Sequence, residues 1–221
     1  MRQNLLLWET INVLLMFSIR KCALKVSVAT IINVLLMVSL IASTYFCIKR
    51  KTNLEMKGIF YGSTTGTTGS LAGRIAEELG IAAADVHDVA GAAADAVQRY
   101  DCLLLGSSTW GCGELQDDWF GFLEGLKGQD LSGKSVALFG CGDSSMYPDT
   151  FCDAVGILRE ELAGTGCRFV GAYAPQNYSV TDSKVCEDGK FVGLAIDEAD
   201  SEAVSSEHLK QWIAVLKEEG V

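Results

Sequence analysis

The sequence predicts a doubly wound α/β domain over residues 56–221, preceded by a hydrophobic N-terminal extension over residues 1–55. Two observations predict the domain. From Met56 onward, short apolar runs alternate with amphipathic helical patterns, which is typical of parallel strands joined by crossover helices. One of these runs, residues 102–106, is almost wholly apolar, as expected for a strand buried on both faces. We therefore expect a five-stranded parallel sheet in the order 2-1-3-4-5 and about five helices.

The individual elements are predicted from their apolar spacing. Strands are expected at residues 58–61, 85–89, 102–106, 135–139 and 168–173. The first helix, over residues 69–79, places Leu71, Ile75 and Leu79 on one face and ends at Gly80. Further helices are expected at residues 117–126, 150–163 and 206–217, where the last two have inward faces formed by Phe151, Val155, Leu158 and Leu162 and by Leu209, Trp212, Ile213 and Leu216. Polar turns around residues 187–189 predict a hairpin-like insertion in or beside strand five.

Charge divides the chain at the same place. The extension contains seven Lys or Arg residues and two Glu residues, so it carries about +5, whereas the whole chain carries −10 and the domain therefore about −15. A domain this acidic repels nucleic acid and anionic membrane surfaces, because binding to phosphates needs Lys and Arg. Basic proteins are its expected partners. The six cysteines of the domain lack CxxC or zinc-ligand spacing, so we expect reduced cytoplasmic thiols and no metal site.

Residues 26–48 are the longest apolar run of the extension. This run has 23 residues without a charge, bounded by Lys25 and by Lys49, Arg50 and Lys51, and is long enough to cross about 30 Å of hydrocarbon. It is therefore a candidate membrane anchor. The alternative is that residues 1–55 come from an upstream translation start, because residues 56–60 have the pattern of a natural first strand. We expect a cytoplasmic protein, anchored through residues 26–48 only if the extension belongs to the mature chain.

The loop after the first strand, Gly-Ser-Thr-Thr-Gly-Thr-Thr-Gly at residues 62–69, is a predicted anion site. Its five hydroxyl side chains directly precede a helix, whose N-terminal N–H groups and dipole favour negative charge. The loop contains no Lys or Arg, unlike a Walker loop, and lacks the GxGxxG spacing suited to a pyrophosphate. A monophosphate held by neutral donors fits this composition. Taken alone, the loop could equally be an ordinary Ser/Thr-rich helix cap.

Two further loops follow strands three and four and each carries an aromatic residue. Trp110 lies among hydroxyl residues and glycines just beyond the buried third strand, a poor place for a core residue, and Tyr147 occupies the matching loop after strand four. Aromatic faces of this kind can stack on a flat ring. In a doubly wound sheet, ligands bind beyond the carboxyl ends of the strands at the switch point, where these loops meet the hydroxyl loop. Together they predict a site for a flat ring attached to a phosphate.

These loops resemble the three flavin-binding loops of flavodoxins, and the resemblance extends over residues 56–221. It is carried by "STWGCGELQDDW" and "FGCGDSSMYPDTFCDA", while the insertion before "DGKFVGLAID" is similar to that of the long-chain subgroup. The resemblance implies the cofactor FMN. Its phosphate would be bound by Ser63, Thr64, Thr65, Thr67 and Thr68, with Gly66 admitting close backbone approach. Trp110 and Tyr147 would stack on opposite faces of the ring, and its edge would be lined by Thr109, Gly111, Gly113, Cys141, Gly142 and Asp143, with a weaker correspondence at Thr150.

The resemblance also implies a low-potential one-electron carrier without a substrate reaction of its own. Flavodoxin reductase-type donors and oxidoreductase acceptors would be its partners, and the chain would be a monomer. The aromatic sandwich and the negative domain disfavour added negative charge on the ring, which predicts a low potential. The Gly111 carbonyl would accept a hydrogen bond from the half-reduced flavin after a peptide flip. The acidic residues near the loops would dock basic partners: Glu114, Asp117, Asp118, Asp149 and Asp153.

Two alternatives use a similar scaffold. An FMN-dependent NAD(P)H-quinone reductase would need a hydride-donor pocket over the flavin, which the Trp110 and Tyr147 sandwich would block. A signalling receiver domain would need acidic residues after strand one and a phosphorylatable Asp after strand three. This chain has Gly-Ser at residues 62–63 and Ser-Ser at residues 107–108 instead. We therefore expect the carrier function.

Overall fold

A parallel sheet organises the computed structural model, which describes residues 55–175, 180 and 182–221. Its strands are β1 (Lys57–Gly62), β2 (Val86–Asp88), β3 (Cys102–Trp110), β5 (Ser135–Gly142), β6 (Arg168–Val170) and β9 (Leu194–Asp197). They run in the order β2-β1-β3-β5-β6, with β9 also paired to β5. The predicted doubly wound order 2-1-3-4-5 is confirmed. The candidate anchor at residues 26–48 lies outside the described residues.

The fifth strand predicted from sequence corresponds to two separate strands, β6 and β9. β6 pairs in parallel with Ser135 to Ala137 at the start of β5, and β9 pairs in parallel with Phe139 to Gly142 at its end. Between them lies an antiparallel pair formed by β7 (Cys186–Glu187) and β8 (Lys190–Phe191). The predicted insertion therefore splits the strand, and β6 ends at Val170 instead of residue 173. The reason is Gly171, whose φ of +81° leaves the extended conformation.

Four α-helices flank the sheet in the described part of the chain. They are α1 (Thr67–Leu79), α2 (Asp118–Lys127), α3 (Asp153–Leu162) and α4 (Glu202–Glu218). The third was predicted to begin at residue 150, but a 3₁₀ turn at Pro148–Thr150 and a φ of +54° at Cys152 delay its start. We expected about five helices and placed four; the described residues contain four α-helices, and the connection from β2 to β3 contains a 3₁₀ helix at Ala94–Arg99.

The core lies on both faces of the sheet, and two indoles fix helices to it. Trp119 of α2 is fully buried and donates from Nε1 to the Gly106 carbonyl of β3 at 2.8 Å. On α4, Trp212 is also fully buried and donates to the Gly171 carbonyl at 2.9 Å. Each bond satisfies the one polar atom of a large apolar side chain. Within the described ranges, no helix has the length and apolar character needed to cross a membrane.

The segment that returns from the insertion packs closely against β5 at Gly193, just before β9. A Cβ atom at Gly193 would lie 2.2 Å from the Leu138 carbonyl oxygen of β5, whereas one at Gly73, on the exposed side of α1, would meet nothing within 4 Å. Backbone cannot rotate away as a side chain can. The entry into β9 therefore requires a residue without a side chain at this position.

We expect Gly193→Ala to lower the free energy of unfolding by about 2–3 kcal/mol, because the methyl group would displace backbone of β5 or β9. The same substitution at Gly73 should raise it by about 0.5–1 kcal/mol, since a helix interior favours Ala over Gly. Urea unfolding of both variants, followed by circular dichroism, measures the difference. Equal stabilities would contradict the packing argument.

Candidate functional site

A pocket of about 240 Å³ lies at the carboxyl edge of the sheet, where the loops after β1, β3 and β5 meet. The loop after β1 contributes Thr65, and β9 is followed by Glu198 at the pocket wall. The other lining residues come from the last residues of β3 and β5, from the loops that follow these strands and from the segment that leads into α3: Ser108, Thr109, Trp110, Gly111, Cys141, Gly142, Asp143, Tyr147, Thr150, Phe151 and Cys152. The predicted convergence of the three loops is therefore present in the structure.

The hydroxyl loop at residues 63–68 turns directly into the N-terminus of α1. Gly66 is the residue before the helix and has a φ of +92°, a left-handed conformation that glycine adopts without steric cost. Its N–H donates to Ser63 Oγ at 3.1 Å, which closes the turn. Residues 64–67 are exposed, and the first N–H groups of the helix have no partner within the helix itself. Such a turn favours an anion.

Thr68, at the end of this loop, has a buried hydroxyl with little hydrogen bonding to the rest of the protein. The residue is fully buried, and its Oγ1 has no oxygen or nitrogen partner among the described residues; its hydroxyl interacts instead with the Cys141 thiol. It lies near enough to the Cys141 thiol to oppose, in part, the effect of burial, which raises the pKa of that thiol to about 12. Buried hydroxyls normally have a partner. A thiol is a weak hydrogen-bond partner, so the Thr68 hydroxyl in the first turn of α1 is incompletely satisfied.

The loop after β3 exposes an aromatic ring on a tight turn. Trp110 remains 42% exposed, and its Nε1 donates to Ser108 Oγ at 2.9 Å, so the indole is held against its own strand. The Gly113 N–H donates to the Trp110 carbonyl at 3.0 Å and closes the turn. Within it, Gly111 has a φ of +54°, and a Cβ atom there would lie 2.6 Å from Glu114 Oε2. This turn favours glycine for its conformation, since the exposed Glu114 side chain can move aside.

The loop after β5 is anchored from two sides. Inside the loop, Asp143 Oδ1 accepts hydrogen bonds from the N–H groups of Ser145 at 2.9 Å and Met146 at 3.0 Å. From outside, the buried Asp197 of β9 accepts from the Ser144 hydroxyl. Tyr147 projects beyond these anchors and is 55% exposed. A large ring that stays this exposed on an anchored loop is a surface prepared for contact.

A sequence model of the flavodoxin family matches residues 59–212. The chain belongs to the flavodoxin family. It is 43% identical over 162 residues to a flavodoxin from Nostoc sp., covering 73% of this chain and 95% of the relative. It is 42% identical over 167 residues to flavodoxin 1 from Escherichia coli strain K12, covering 75% and 95%. A solved flavodoxin of Fusobacterium nucleatum bound to flavin mononucleotide is 27% identical, with a TM-score of 0.67 over 75% of this chain and 99% of that one.

The flavodoxin pocket brings together eight of the residues proposed from sequence: Thr65, Thr109, Trp110, Gly111, Cys141, Gly142, Asp143 and Tyr147. Five others belong to the hydroxyl loop but do not line the pocket itself: Ser63, Thr64, Gly66, Thr67 and Thr68. Gly113 is buried behind the pocket, where a Cβ atom would lie 2.7 Å from Asp153 Oδ2. Its contribution to this site is to leave room for that carboxylate.

Sequence reasoning missed Ser108, Phe151, Cys152 and Glu198 as pocket residues. Phe151 and Cys152 were assigned to the interior of a helix that in fact begins after them. Glu198 follows β9, and its N–H donates to the Gly142 carbonyl at 2.8 Å, so the second half of strand five ends beside the pocket. The sequence does contain a signal for this strand end at the site: the acidic pair Asp197 and Glu198 directly follows the apolar run at residues 191–196.

One of the acidic residues proposed for partner docking has a different role. Asp153 is buried, and its Oδ1 accepts from the Ser183 hydroxyl and the Lys184 N–H, both at 2.7 Å. It therefore cannot present its charge to a partner. The other four, Glu114, Asp117, Asp118 and Asp149, are exposed. Asp153 instead joins the insertion to the start of α3, because Ser183 and Lys184 lie between β6 and β7.

The two thiols of the pocket are buried and protonated at neutral pH. Burial raises the pKa of Cys141 to about 12, and it raises the pKa of Cys152 well above its usual range. Cys112, in the turn beside Trp110, is exposed. The thiolate is the reactive form of cysteine, so the pocket thiols act as small apolar groups. The inner wall of the site is therefore chemically inert.

Proposed function

We propose that this chain binds FMN and carries single electrons between redox partner proteins at low potential. As a flavodoxin it is an electron-transfer protein and not an enzyme. The observation that carries the proposal is the pair of exposed rings, Trp110 and Tyr147, that line one pocket at the end of a hydroxyl loop without a basic residue. The solved Fusobacterium nucleatum relative is bound to the same cofactor.

The phosphate of FMN would be held by the hydroxyl loop, through Ser63, Thr64, Thr65, Thr67 and Thr68. Their hydroxyls and the free N–H groups at the start of α1 are neutral donors. Gly66, with its φ of +92° and open space where a Cβ atom would lie, lets backbone approach the anion. The hydroxyls of Thr64, Thr65 and Thr67 are exposed at this turn and can point toward the phosphate. The residues present therefore fit this group.

The ring would lie between the loops after β3 and β5. Trp110 and Tyr147 would stack on it, while Thr109, Gly111, Cys141, Gly142 and Asp143 would surround its edge. When bound, FMN supplies the one-electron redox chemistry. The protein orients it and sets the charge around it. Glu198, the indole and the phenol place electron-rich groups near the ring, and the domain adds about −15. Together they oppose added negative charge and favour a low potential.

Titration of the flavin-free chain with FMN tests the proposal directly. We expect tight binding with strong quenching of flavin fluorescence, because an indole and a phenol would cover the ring. Trp110→Ala should weaken binding about tenfold, which corresponds to the loss of roughly one aromatic stacking interaction. Phe120→Ala, which removes an exposed ring outside the pocket, is the matched control and should bind like the unmodified chain. A chain that does not bind FMN would overturn the proposal.

The turn at Gly111 predicts an effect on the half-reduced state. Gly111→Val should lower the amount of one-electron-reduced flavin that accumulates during stepwise reduction, because a β-branched residue resists positive φ by about 1–2 kcal/mol. The φ of +54° opposes a side chain here, whereas the exposed Glu114 carboxylate can move aside. Asn tolerates this conformation better than Val, so Gly111→Asn should accumulate more one-electron-reduced flavin than Gly111→Val does. Visible absorbance during reductive titration measures both, and equal accumulation in the Val variant and the unmodified chain would refute the role of this turn.

The exposed acidic residues near the pocket predict docking of basic redox partners. Cytochrome c, a basic haem protein, can serve as the electron-accepting probe. The rate of electron transfer to it should fall as ionic strength rises, and Asp117→Asn with Asp149→Asn should reduce this dependence. Glu77→Gln with Glu78→Gln, on the exposed side of α1, is the control with an equal change in charge. Stopped-flow rates that do not respond to salt would remove the docking proposal.

A further inference from the structure

Gln116 lies between the first two loops of the pocket and is almost completely buried, with 3% of its surface exposed. It follows the short strand β4 (Glu114–Leu115), which pairs with the end of β3. Its backbone N–H donates to the buried Ser107 hydroxyl at 3.2 Å. The residue is thus fixed to β3 at the edge where the site is built. Its side chain amide is directed to the other loop.

The orientation of the Gln116 amide is determined by Asp118. The Asp118 N–H donates to Gln116 Oε1 at 3.1 Å, and Gln116 Nε2 donates to the Asp118 carboxylate at 2.7 Å. Exchanging the two amide atoms would place a carbonyl oxygen against the carboxylate and an NH₂ group against an N–H. Both contacts would then be repulsive. The Nε2 atom therefore has one defined position and one remaining proton.

The remaining Nε2 proton of Gln116 is directed to Thr64 in the hydroxyl loop. Gln116 Nε2 lies 3.4 Å from Thr64 Oγ1, in a geometry in which the amide donates. The same side chain also supports the start of the loop, since a Cβ atom at Gly62 would lie 2.5 Å from Gln116 Oε1. A hydroxyl that accepts a hydrogen bond keeps its own proton for another acceptor. Thr64 is exposed, so this proton is available at the outer surface of the loop.

We propose that Gln116 is a positioning residue for phosphate recognition: it makes the Thr64 hydroxyl a donor and supports the loop from beneath. The inference rests on the proposed binding of FMN and adds a residue outside the pocket lining to that site. Because the amide acts only through the loop, it should contribute to the affinity for the phosphate and not for the ring. Gln116 therefore discriminates a phosphorylated flavin from one without phosphate.

Comparison of FMN with riboflavin, which lacks the phosphate, isolates this contribution. We expect Gln116→Met to weaken FMN binding to the full chain about fivefold to tenfold, the effect of losing part of one hydrogen bond to a charged group, and to leave riboflavin binding unchanged. Gln116→Asn keeps an amide but shortens it by one methylene, so it cannot reach both Asp118 and Thr64, and it should lower the ratio of FMN affinity to riboflavin affinity less than Gln116→Met does. Gln129→Met removes a partly buried glutamine just beyond the C-terminal end of α2. It should leave the ratio of FMN affinity to riboflavin affinity unchanged.

A double-mutant cycle tests whether Gln116 acts through Thr64. Thr64→Val should lower the FMN to riboflavin ratio, and adding Gln116→Met to it should lower the ratio little further. Inorganic phosphate is a probe that needs no flavin: its binding to the flavin-free chain, followed by ³¹P NMR, should weaken in both Gln116 variants. Circular dichroism of each flavin-free variant monitors the fold, and Gln116→Asn provides the test if the Met variant does not fold.

The possible failures are distinguishable. Equal weakening of FMN and riboflavin by both Gln116 variants would assign the residue to general stability and overturn this inference, while leaving the proposed function intact. Fully additive effects of the Thr64 and Gln116 substitutions would also overturn it, because the two groups would then act independently. An unmodified chain that binds neither flavin would instead overturn the proposed function itself.

Discussion

The parallel pairing of β1, β3 and β5 is the constraint on which the site depends. Lys57 to Gly62 of β1 align with Cys102 to Ser107 of β3, which in turn align with Ser135 to Gly140 of β5. Because the three strands run the same way, the loops that leave them emerge at one edge. The hydroxyl loop and the two aromatic loops are far apart in sequence, yet this register brings them to a single pocket.

Two of the three loops are then held by polar atoms from another part of the chain. Asp197 of β9 accepts a hydrogen bond from the Ser144 hydroxyl. Gln116, just after β4, donates one to Thr64 in the hydroxyl loop. These anchors are buried, so the loops keep their shape while their outer surfaces remain exposed. A polar group without a partner would be costly in such places. The buried Thr68 hydroxyl, in the first turn of α1, has only the Cys141 thiol as a weak partner.

Sequence reasoning located the strands and the loops because both have strong local signals. The apolar run at residues 102–106 and the helical spacing of Leu71 and Ile75 identify buried elements without any tertiary information. Boundaries were less accurate where a single residue changes the backbone direction. Cys152 and Gly171 both have positive φ values, and each moves the end of an element by a few residues. Nothing in the composition around Cys152 indicates that conformation, since L residues rarely adopt it.

The sequence by itself determined the sheet order, the three loops at the switch point and the kinds of group they carry, because periodicity and turn composition are local properties. Tertiary structure decided which of these groups share the pocket. It placed Glu198 at the wall by splitting strand five, and it buried Asp153 beneath the insertion, where charge alone had suggested a surface residue. These outcomes depend on contacts between residues that are distant in sequence. A linear pattern shows which side chains are present, but only packing determines which atoms they meet.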